Sequence, residues 1–226
     1  SAAPLSQYLQ MSRYVNKYFN PDIIIFNIVH DDLEQSLCAF AQLRGMLCFE
    51  EDESGFKEKI SLPLLSNQWR GILRHSCFAR YLWFNLNLQS VFYKLVRREI
   101  KYNVDTNVDL VNSHKDEIMR IADFILHKIE IENPLKKIIF LMDAPREDLY
   151  SNNLSKSKII WINKLLKEKC DKYGFYFIDL TDIFAERFKS AGIRFESQYD
   201  RHWNVFGHAV VAEALFDKLK EIGVLK

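Results

Sequence analysis

Pro21-Asp22-Ile23-Ile24-Ile25-Phe26-Asn27-Ile28-Val29-His30-Asp31-Asp32 is the stretch on which the fold turns. Its apolar run from Ile23 to Val29 is strand-sized and rich in β-branched residues, too short for a helix crossing a core. A nearly continuous apolar run predicts a strand buried on both faces, as in a parallel sheet. Asn20-Pro21 stops the helix predicted over residues 5–19, because the residue before proline avoids helical angles.

Working outward, the same pattern recurs twice. Lys137–Met142 predicts a second buried strand, closed by Asp143-Ala144-Pro145-Arg146, and Phe175–Asp179 a third. Helices are predicted over residues 112–130, over 157–173 with Gly174 as a left-handed cap, from Leu180 onward as a short one, and over 204–222. Strands alternating with helices predict an α/β fold on a parallel sheet. No linker or repeat divides residues 1–226, so one domain is expected. Parallel sheets carry their chemistry on loops after the carboxyl ends of strands, where Asp31, Asp143 and Asp179 fall.

The remaining sequence reads less sharply. Glu50-Glu51-Asp52-Glu53-Ser54-Gly55 predicts a solvated acidic turn, with irregular chain up to Leu65. Residues 68–100 predict a helix whose aromatic residues, Phe78, Tyr81, Trp83, Phe84, Phe92 and Tyr93, form a core stripe. Cys38, Cys48, Cys77 and Cys170 have neither CxxC nor metal-ligand spacing and are expected as partly buried thiols. The 226 residues carry a net charge of +1, which gives no electrostatic footing for nucleic acid. No apolar run reaches the length of a membrane span. Only seven glycines occur, none clustered into a phosphate-binding loop, which argues against a nucleotide-binding or receiver-like α/β domain.

One segment carries a chemical pattern: Tyr199-Asp200-Arg201-His202-Trp203-Asn204-Val205-Phe206-Gly207-His208. A histidine acting as a general base needs an acceptor on its other ring nitrogen, and Asp200, two residues away, can supply it. The alternative is a plain turn capped by Asp200 or Asn204 ahead of the last helix.

This segment, with the helix that follows it, resembles the last block of the SGNH (GDSL-type) hydrolases, which carries the catalytic Asp and His. The spacing here, Asp-x-His-Trp, looks like the variant in SGNH-like proteins linked to polysaccharide O-acetylation. The Pro21–Asp32 stretch is similar to that family's strand followed by Gly-x-Asn-Asp, whose Asn donates to the oxyanion. Here the Asn position falls on Asp31 and the Gly position on Val29. An ionised carboxylate cannot donate, so either Asp31 is protonated, or a neighbour such as His30 or Asn27 contributes, or the site is weakened. Asp143-Ala144-Pro145-Arg146 resembles the loop before the penultimate helix, and Arg80-Tyr81-Leu82 an insert of some members. Arg146 is thus either a substrate or anion contact or a salt-bridge partner of Asp143 or Glu147.

The resemblance implies a three-layer α/β/α, flavodoxin-like fold and a serine esterase or O-acyltransferase with a catalytic triad. Asp200 and His202 would be two members of the triad, with His30, Asp31 and Arg146 near the oxyanion and substrate. It implies a small-molecule or glycan ester substrate, such as an O-acetylated glycan, and no metal or organic cofactor. The family's Gly-Asp-Ser block is absent from these residues. Ser1, Ser6 and Ser12 lack the strand-then-turn context of an activated hydroxyl. The nucleophile, with two strands of the usual five, is therefore expected upstream, in a longer chain. A second expectation is a catalytically inactive SGNH-like module that binds a glycan or a protein.

Overall fold

The structure, a computed structural model, describes residues 3–41, 45–61, 76–81, 106–197 and 202–225. Helix α1, Leu5–Tyr18, leads into strand β1, Ile23–Ile28. A hairpin follows, β2 over Leu47–Asp52 and β3 over Gly55–Ile60. After the short α2, Cys77–Arg80, come α3, Val108–Ser113, and α4, Lys115–Glu132. Strand β4, Lys137–Met142, precedes α5, Arg146–Tyr150, and α6, Ile160–Lys172. Strand β5, Tyr176–Asp179, runs into α7, Leu180–Ala191, and the chain closes with α8, Val205–Glu221.

β1, β4 and β5 form a parallel sheet in the order β1-β4-β5, with Phe26 beside Phe140 and Phe140 beside Phe177. The two-residue period of the strands then sorts side chains between two cores. Phe26, Ile28, Ile138, Phe140 and Met142 pack with Leu5 and Leu9 of α1, Ile118 to Ile129 of α4, and Ile162 and Leu166 of α6. On the opposite face Ile139, Leu141 and Ile178 pack with Phe184 of α7 and Val210 and Val211 of α8. This is the expected α/β architecture on a parallel sheet. Gly174 has φ +69°, and Phe175 N–H donates to Cys170 O at 2.8 Å, so the predicted left-handed stop of α6 is present.

Four expectations are corrected. β1 is fully buried on one face only: Phe26 and Ile28 are buried, whereas on the other face Ile23 packs against the α7–α8 core but Ile25 is 43% exposed and Asn27 is exposed. The acidic turn is present and exposed at Glu53-Ser54, but it is the tip of a hairpin, and residues 55–60 are a strand rather than irregular chain. Its charged residues pair across the strands, Lys59 with Glu50 and Lys57 with Asp52, while Leu47, Cys48 and Phe49 bury its root. Cys38 and Cys48 are a disulfide with a Cα–Cα separation of 4.9 Å, not two thiols. Two backbone contacts bring them together: Cys38 N–H donates to Phe49 O at 2.8 Å, and Leu37 forms a bridge with Phe49. Of the aromatic stripe expected over residues 68–100, Phe78 and Tyr81 are exposed, and the other aromatic residues lie outside the described residues.

Candidate functional site

The three parallel strands deliver polar residues to one end of the sheet. At the end of β1 the chain turns sharply. Val29 N–H donates to Asp32 Oδ2 at 2.9 Å, and Leu5 N–H donates to Asp32 O at 3.0 Å, tying the turn to the start of α1. Asp32 is buried, and burial, followed by the charge of Asp31, holds its carboxyl well above the usual range. Asp31 is half-buried and accepts from the Gln35 side-chain amide; burial raises its carboxyl too, and the Gln35 bond opposes that rise. Glu34 is buried, its Oε2 has no hydrogen-bond partner among the described residues, and burial, aided by Asp31, pushes its carboxyl up to about 7.

His30 points the other way. Its Nε2 lies 2.9 Å from Asn163 Oδ1, and burial lowers the imidazole to about 4, so the ring is neutral at pH 7. An amide oxygen only accepts, so Nε2 is the protonated nitrogen. The Asn163 amide donates to Asp179 Oδ1 at 2.9 Å, to Thr181 Oγ1 at 3.2 Å and to Asp143 O at 3.3 Å. One α6 side chain therefore fastens the ends of β1, β4 and β5 together. Sequence reading missed Asn163; its signal is a lone amide on the apolar face formed by Ile162, Leu165 and Leu166.

At the end of β4, Asp143 is buried, and burial raises its carboxyl against the opposing charge of Arg146. Its Oδ1 accepts from Ala144 N–H at 2.8 Å and from the Trp203 indole N–H at 3.4 Å. Arg146 lies between two carboxylates, 3.2 Å from Asp143 and 3.4 Å from Glu196. It is engaged at both ends of its guanidinium, the ion-pair role foreseen for Asp143 extended to a residue, Glu196, that sequence reading did not single out.

His202 is exposed, and its carbonyl accepts from Ser197 N–H at 2.8 Å. Asp200, its expected partner, lies outside the described residues. Asn204 caps α8, with Oδ1 accepting from Gly207 N–H at 2.8 Å, as its position predicts. Gly207 lets this turn close: a Cβ there would sit 2.5 Å from Phe195 O. Asp31, His30 and Arg146 thus gather at the carboxyl ends of β1 and β4, and the Trp203–Asp143 bond ties the His202 loop to the same end. Among the described residues no group of three or more His, Cys, Asp or Glu is arranged to hold a metal ion, and no helix is long and apolar enough to cross a membrane. No known protein family, curated protein or solved structure matches the chain.

Proposed function

We propose that this chain forms the greater part of an SGNH-type serine ester hydrolase or O-acyltransferase acting on an ester such as an O-acetylated glycan. His202 is the general base, Asp200 its orienting acid, and the turn at Asp31 borders the oxyanion. The nucleophile is a serine upstream of Ser1. The observation that supports the reading is the Trp203–Asp143 hydrogen bond, which holds Trp203, the residue after His202, at the carboxyl ends of the strands. A neutral His30 buried against Asn163 is engaged as a structural donor, and the acid–histidine pattern of the last segment points to His202 as the base. In the full-length protein, His202→Ala abolishes hydrolysis of a short acyl ester while the protein stays folded; unchanged turnover would refute the assignment.

A second reading has one observation in its favour. Asp31 occupies the place of a neutral donor, and its carboxyl is already engaged by Gln35. A carboxylate there repels a developing oxyanion, as befits a cleft that binds an ester or glycan without cleaving it. Glycan binding by the full-length protein without turnover would select this binding module over the enzyme.

A further inference from the structure

His202 is exposed, and the described residues on either side of 198–201 pair with each other. Glu196 and Trp203 form an antiparallel bridge, Ser197 N–H donates to His202 O at 2.8 Å, and Asn204 N–H donates to Phe195 O at 2.7 Å. A two-stranded pairing this small is marginal by itself in water. Its Glu196 side chain belongs to a row of largely buried charges. The Glu196 side chain is 12% accessible, that of Arg146 18% and that of Asp143 5%. Glu196 draws donors from three side chains: the Tyr150 hydroxyl, Arg146 at 3.4 Å and Arg194 at 3.2 Å. The Tyr150 hydroxyl in turn accepts from Phe195 N–H at 3.0 Å, so the same group grips both the carboxylate and the backbone.

We propose that Glu196 is a positioning residue for His202, an inference that rests on the acyl-transfer reading above. Its carboxylate, held by Arg146 and Tyr150 of α5, fixes one end of the loop, while Asp143, through Trp203, fixes the other. Arg146 joins the two carboxylates, so one ion-paired row sets where the His202 ring stands relative to the strand ends. Arg146 then acts on the loop rather than on the substrate. Positioning of this kind acts on turnover more than on binding, because a misplaced base loses alignment in the transition state.

The test is Glu196→Gln in the full-length protein, since glutamine keeps the volume but turns an N–H pair toward the guanidinium. Tyr150→Phe is the milder companion, removing one donor and keeping the ring against Phe188. Hydrogen exchange at the Ser197 and Asn204 amides, with β4 and α4 amides as the control for folding, reads the loop. Hydrolysis of 4-nitrophenyl acetate reads the chemistry. Expected are faster exchange at those two amides and a fall in kcat of about tenfold or more at nearly constant KM. Loosened amides with unchanged kcat would overturn the inference, as would unchanged amides. If the wild-type protein shows no turnover, the acyl-transfer reading fails separately, and with it the positioning role; the exchange data then decide only whether Glu196 holds the loop.

Discussion

Two buried groups at the strand ends titrate with opposite consequences. Glu34 rises from 4.5 to about 7, so between those values the folded state holds a proton that the unfolded chain has lost. Its contribution to stability is full below pH 4.5 and is lost as the pH rises through 7; Asp31 and Asp32, also raised, act in the same direction. His30 falls from 6.5 to about 4, so its contribution is lost as the pH drops through that window. Urea midpoints measured from pH 4 to 8 separate the two. Glu34→Gln flattens the decline toward alkaline pH, and His30→Gln flattens the decline toward acid pH. Identical slopes in wild type and variants would show that neither group titrates as its burial dictates. Asp31 sets a further expectation at this scale. If it borders an oxyanion, Asp31→Asn restores a donor there and raises kcat by about tenfold or more, measured on a short acyl ester.

Among the elements, strands were the most legible in the sequence. The runs at residues 23–29, 137–142 and 175–179 appear as β1, β4 and β5, shifted by at most one residue, because apolar runs bounded by proline, glycine and acids have few other solutions. The β2–β3 hairpin was hidden because charge dominates its outer half, and its stabilising feature is cross-strand pairing that a single segment does not display. The Cys38–Cys48 bridge was hidden for a related reason: proximity arises from the Leu37–Phe49 contact, a tertiary event. That bridge should contribute roughly 2–4 kcal/mol by restricting the unfolded chain. Thiol titration in denaturant should find two of the four cysteines reactive, and reduction should lower the urea midpoint; four reactive thiols would contradict the bridge.

For the whole molecule, the arrangement of the sheet was readable and the completeness of its covering was not. Alternating strands and helices predicted the parallel sheet, and the strand ends predicted where Asp31, Asp143 and Asp179 cluster. Periodicity did not reveal that β1 would leave Ile25 and Asn27 open, since a strand's pattern records its capacity for burial, not the helix that covers it. His202 and Asp31 were singled out by their motifs, and the fold sets Asp31 at the end of β1. Asn163, Glu196 and Tyr150 were not, because each works through a partner 46 or more residues away or through a network assembled only by folding.

His202 is proposed as the base of an acyl-transfer centre at this sheet end. Steady-state hydrolysis of 4-nitrophenyl acetate by the full-length protein and its His202→Ala variant tests it most directly. A fall in kcat of about a thousandfold or more is expected, with the fold intact by circular dichroism. Equal turnover by the two proteins, or none by the wild type, would contradict it.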